Sequence, residues 1–68
     1  MMKYTVRYIN EELERAGVNR EVRRSRAGRG GARYVVIDTE ANEMIGEVSN
    51  LQEYACILVA KRKIKPRG

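Results

Sequence analysis

Histidine, tryptophan and phenylalanine are all missing from this sequence, and cysteine and proline occur once each. Without histidine the chain lacks the commonest general base and the commonest metal ligand. The lone Cys56 can close no internal disulfide, and it cannot complete a zinc site without histidine or further cysteines. A single cysteine also argues against a secreted disulfide scaffold and for a reducing, cytoplasmic setting. Cys56 stands among apolar residues, so a buried, inert thiol is expected rather than a nucleophile. Ser25 and Ser49 have no base to activate them. These absences point to a non-enzymatic protein with no cofactor and no metal.

Long apolar runs are missing too. The longest, Tyr54 to Ala60, has seven residues, where a membrane span needs about 20. Lys3 and Arg7 interrupt the start of the chain, against an ordinary signal peptide. The expectation is a soluble protein with no membrane partner. Its 68 residues suit one small domain over 1–68, and a domain of this size buries only about 60% of its unfolded surface. Residues 65–68 read as a frayed tail.

Charge is what the chain has in quantity. Its net charge is +5, from 14 Lys and Arg against 9 Asp and Glu. Residues 1–19 are neutral. Residues 20–33 hold six arginines against Glu21, residues 34–53 hold five acids and no base, and residues 54–68 hold five bases and no acid. Such segregation predicts a polarised surface able to steer a charged partner.

Met2, Val6, Ile9, Leu13 and Ala16 recur at helical spacing, which predicts a helix over about 5–16. Thr5 can cap it, Gly17 suits a left-handed C-terminal residue, and Arg7–Glu11 and Glu11–Arg15 are supporting pairs. Tyr4, Val6 and Tyr8 also alternate as a strand would, but the stripe continues through Leu13, which favours the helix. Glu21–Arg26 reads as a polar strand. Three glycines within Gly28–Gly31 exclude a regular element there. Arg33–Thr39, with Tyr34-Val35-Val36-Ile37, and Met44–Val48 read as strands two and three. Ser49 and Gln52 have the spacing of a capping box, opening a helix that runs to about Lys63 with Leu51, Tyr54, Ala55, Leu58 and Val59 inward. A strand over Ala55–Ile64 is the competing reading. The expected fold class is α+β, in the order α-β-β-β-α, with a three-stranded antiparallel sheet and two helices on one face.

Asp38, Glu40, Glu43 and Glu47 do not follow a calcium-loop pattern. They read as a solvated acidic edge, or as an acidic patch for a basic partner. Gly28-Arg29-Gly30-Gly31 lacks the spacing of a nucleotide-binding loop.

The most informative stretch is Arg20–Arg33. Arg20, Arg23, Arg24, Arg26, Arg29 and Arg33 offer planar donor forks that grip phosphate or carboxylate and stack on flat rings. Six such contacts to phosphates would give a log–log salt slope of about −4 to −5. Tyr34 could stack a base or pack on the sheet. Lys61, Arg62 and Lys63, with Lys65 and Arg67, form a second basic cluster. It reads either as a solvated terminus or as an added electrostatic contact.

Two functions follow from these residues. One is a nucleic-acid-binding module without sequence specificity, built on the arginine hairpin. The other is a small inhibitor or adaptor that meets a charged protein through the acidic 38–53 edge, the arginine turn, or both. A homodimer joined through oppositely charged faces is a third arrangement.

Arg29-Gly30-Gly31 resembles the RGG repeats of RNA-binding tails. Residues 9–24, with the pattern Asn10-x-x-Leu13-x-x-x-Gly17 ahead of a basic strand, resemble the opening of small uncharacterised phage and mobile-element proteins. Such proteins follow with an aromatic strand, and Tyr34 is the only aromatic residue in Arg33–Ile37. The resemblance implies a host-takeover or anti-defence factor, such as an anti-CRISPR protein, acting on a host protein or nucleoprotein in the host cytoplasm. It implies no site residues.

Overall fold

The computed structural model describes residues 3–25 and 33–67. The order is α1 (Val6–Arg15), β1 (Arg20–Arg24), β2 (Tyr34–Asp38), β3 (Glu43–Val48) and α2 (Leu51–Ala60). The strands form one antiparallel sheet in the order β1-β2-β3. The α-β-β-β-α class expected from sequence is the one observed. Met2 and residues 26–32, where the sequence predicts a turn, lie outside the described residues.

Helix α1 has the ends its sequence encodes. The Thr5 hydroxyl accepts from the Tyr8 N–H at 3.1 Å. At the other end Gly17 takes φ +75°, Val18 N–H donates to Leu13 C=O at 2.9 Å, and Gly17 N–H donates to Glu14 C=O at 3.1 Å. That pair of bonds is a Schellman motif, with glycine at the position where a Cβ is disfavoured. Val6, Ile9 and Leu13 face inward, with Ile9 and Leu13 fully buried. Ala16, expected to extend the stripe, is exposed, because the helix has already ended at Arg15 and Ala16 is its C-cap.

Alternation along the strands sets the two faces of the sheet. Val22, Val36 and Val48 are buried against Ile9 and Leu13 of α1, against Leu51, Ala55 and Leu58 of α2, and against Ile64. Both helices therefore cover one face. The opposite face carries Glu21 and Arg23 from β1, Val35 and Ile37 from β2, and Met44 and Glu47 from β3, as the register requires. Between the pairs Val36–Gly46 and Ile37–Met44 the register shifts by one, which makes Ile45 a bulge residue.

Four expectations need correction. The cap of α2 is Asn50, whose side chain accepts from Glu53 N–H at 3.1 Å, not Ser49. The carboxamide of Gln52 pairs instead with both backbone groups of Tyr4, accepting at 2.7 Å and donating at 2.8 Å. Helix α2 stops at Ala60, short of Lys63, and closes with a second Schellman motif in which Arg62 takes φ +60°. Cys56 is exposed, because the buried stripe of α2 runs through Leu51, Ala55 and Leu58 and Cys56 sits about 100° around from Ala55.

Residues 65–67, expected to fray, differ as well. They are held against α1 and the residues just before it by four hydrogen bonds. Lys65 N–H donates to Glu12 Oε1 at 3.2 Å, and the Tyr8 hydroxyl donates to Lys65 C=O at 2.9 Å. Arg67 N–H donates to the Tyr4 hydroxyl at 3.0 Å, and Arg67 Nη1 donates to Lys3 C=O at 3.2 Å. The Arg67 guanidinium also lies 5.3 Å from the centre of the Tyr8 ring. Among the described residues, no helix is long and apolar enough to cross a membrane.

Candidate anion-binding surfaces

The six arginines of 20–33 do not share one surface. Arg20 and Arg24 lie on the helix-covered face of β1 with Val22, and Arg23 lies on the open face. Arg20 is half-buried beside Tyr54. Burial raises the pKa of the Tyr54 hydroxyl above its ordinary value of 10, and the nearby Arg20 guanidinium lowers it in part. Arg23 folds onto Glu21, with Nη2 at 3.0 Å and Nε at 3.2 Å from Oε2. Of the four arginines among the described residues, Arg20 is thus half-buried and Arg23 is paired with a carboxylate, on opposite faces. Alternation along a strand separates neighbouring residues that look clustered in sequence.

Arg24 and Arg33 remain exposed at the root of the hairpin. Ser25 N–H donates to Arg33 C=O at 2.8 Å, and Arg33 N–H donates to Val48 C=O at 3.2 Å. These bonds continue the ladder past the ends of the strands and fix the backbone from which both side chains project. Arg26 and Arg29 lie outside the described residues. Tyr34, a neighbour of Arg24 across the ladder, is half-buried and packs on the core.

Three of the five C-terminal cations gather at one cleft. Arg15, Arg62, Lys63 and Lys65 line a cleft of about 520 Å³, with Val59 and Ile64 among its walls. Lys61, Arg62 and Lys65 are exposed and Lys63 is half-buried. Glu12 also lines this cleft and is 5% exposed. Its Oε2 pairs with Arg15 Nη1 at 2.9 Å while its Oε1 accepts from Lys65 N–H. A buried carboxylate tolerates its position because both oxygens are partnered. Sequence reading missed Glu12, although it stands three residues after Ile9 and four before Ala16, at the margin of the apolar stripe where Glu11 and Glu14 do not; a segment more than 50 residues away completes its burial. Loss of water around the Tyr8 hydroxyl, with Glu12 and Tyr4 close by, also raises the Tyr8 pKa, while Arg67 and Arg15 oppose that rise.

The acidic residues do not form one patch either. Asp38 Oδ1 accepts from Glu40 N–H at 2.9 Å and Ala41 N–H at 3.2 Å, shaping the β2–β3 turn. Glu40 accepts from the Asn19 carboxamide at 3.2 Å. Glu43 is exposed beside Asp38 across the ladder, whereas Glu47 is exposed on the open face beside Val35.

No family model, no curated protein and no solved structure matches this chain.

Proposed function

We propose that the protein is a small non-enzymatic module that binds nucleic acid without sequence specificity through the root and turn of its arginine hairpin. One observation carries the reading. Arg24 and Arg33 are exposed where the β1–β2 pair leads into the turn, and neither is paired with a carboxylate among the described residues. The sequence from Val22 to Ile37 contains no acid at all, so Arg26 and Arg29 join them in an uninterrupted cationic segment. Guanidinium forks grip phosphate oxygens in pairs, and such contacts position a protein on a backbone while carrying no sequence information. The cations of 61–65 add a second field of the same sign.

Four phosphate contacts give a log–log salt slope of about −3 to −4, smaller than six would give. The test is fluorescence anisotropy with single-stranded DNA, duplex DNA and RNA at two salt concentrations. The expected result is salt-sensitive binding that falls at least tenfold in R24A/R33A and holds in R23A. Absence of binding at low salt, or equal binding by R24A/R33A, overturns the proposal. The host-protein reading implied by the phage resemblance would then take its place.

A further inference from the structure

The open face of the sheet poses a question the arginine hairpin does not answer. An antiparallel sheet that faces water on one side ordinarily shows polar residues there. Here Val35, Ile37 and Met44 occupy that face. Val35 and Ile37 are half-buried there, and Met44 at the edge is 58% exposed, with the bulge residue Ile45 49%. The molecule measures 31 × 30 × 18 Å, a slab with one broad face that no helix among the described residues covers.

The register gives that face a definite pattern. Arg23, Val35 and Glu47 are side by side across β1, β2 and β3, so one row reads cation, apolar, anion. The next row reads Glu21, Ile37, Met44. A twofold axis lying parallel to the strands beneath β2 exchanges the two edges of the sheet. It sets Val35 over Val35, Ile37 over Ile37, and each Arg23 over the Glu47 of the other copy. Glu47 has no ion pair among the described residues. An axis perpendicular to the strands would set Arg23 over Glu21 and Glu47 over Met44, leaving Glu47 without a cation, whereas the parallel axis sets over Met44 only Glu21, which has Arg23 of its own chain as partner.

We propose that two copies of this chain stack through their open sheet faces about a twofold axis parallel to the strands, with Val35 and Ile37 at the centre and reciprocal Arg23–Glu47 pairs at the edges. The contact is isologous, as a closed dimer requires, and the near-parallel strands match the aligned packing of two sheets about 10 Å apart. Three strands of five residues cover only about 14 by 17 Å at ordinary spacing and rise, well short of the roughly 800 Å² per partner of a standard interface. The dimer is accordingly weak, with dissociation between about 1 µM and 1 mM. The axis also places Arg24 and Arg33 of both copies at the same end of the dimer. The inference stands apart from the nucleic-acid reading, because it is tested with protein alone.

The experiment is sedimentation equilibrium of the full chain from about 10 µM to 1 mM, with circular dichroism confirming that each variant is folded. Wild type should move from 7.8 kDa towards twice that mass as concentration rises. Arg23→Glu and Glu47→Arg, each alone, should remain monomeric, because both edge pairs then join like charges. An equimolar mixture of the two variants should dimerise, since each cross-interface pair again joins opposite charges. Val35→Lys should abolish association. A monomeric wild type at every concentration overturns the proposal. So does a Val35→Lys protein that associates as wild type does, or a mixture that stays monomeric.

Discussion

The carboxamide of Asn10 makes two hydrogen bonds to one residue, Val22, across the gap between α1 and β1. It accepts from the Val22 N–H at 2.7 Å and donates to the Val22 C=O at 2.9 Å. β1 is an edge strand, and an edge leaves backbone groups open to pairing with another chain. Asn10 fills, for one residue, the place a neighbouring strand would take. Leu13 of the same helix is fully buried and Gly17 closes it in the left-handed conformation. The spacing Asn10-x-x-Leu13-x-x-x-Gly17 thus describes how a helix is clamped to an edge strand. A resemblance resting on it speaks to fold and leaves function open.

Asn10→Ala should destabilise the protein by about 2 kcal/mol, since it removes two partly buried hydrogen bonds of about 1 kcal/mol each. Urea unfolding followed by circular dichroism measures this. A loss under 0.5 kcal/mol would mean that water replaces the carboxamide at no cost.

The two left-handed helix ends should respond oppositely to mutation. Gly17→Ala meets no atom within 4 Å, so its cost is conformational, about 1 kcal/mol. Arg62 already bears that cost at φ +60°. Arg62→Gly should therefore raise stability by about 0.5–1 kcal/mol, or several degrees in Tm for a domain this small. An unchanged or lower Tm contradicts this.

Removal of residues 65–68 should lower Tm clearly. It deletes the four hydrogen bonds to Glu12, Tyr8, Tyr4 and Lys3 and leaves Glu12 Oε1 unpartnered. In the truncated chain, Glu12→Gln should restore part of the loss, because a neutral amide is less costly to bury than a half-paired carboxylate. Equal melting of full and truncated chains would refute the clamp.

Alkaline stability should depend on Tyr54. Its hydroxyl pKa is raised in the folded state, chiefly by burial, so the native protein holds that proton more tightly than the unfolded chain, whose phenol titrates near 10. The resulting stability is fully present below pH 10 and disappears as pH climbs through the folded value. Between pH 9 and pH 12, Tyr54→Phe should lose less unfolding free energy than wild type. Parallel losses in the two proteins would show that the hydroxyl does not contribute.

The exposed Cys56 thiol should react with a disulfide reagent in the native protein as fast as in the denatured one. A native rate slower by a hundredfold would place it in the core.

Local physics accounts for what the sequence determined by itself. The 3.6-residue stripe through Val6, Ile9 and Leu13, the glycine after the helix, the β-branched run at Tyr34–Ile37 and the short connections are interactions among near neighbours. They suffice for the five elements, their order and the antiparallel sheet. Only the tertiary structure decided the rest. It half-buried Arg20 and paired Arg23 with Glu21 on opposite faces, turned Cys56 outward, buried Glu12 beneath Lys65, and aligned Arg23, Val35 and Glu47 in one row. Each of these depends on which face a strand presents or on contacts between distant segments. A count of charges along the chain holds no information about either.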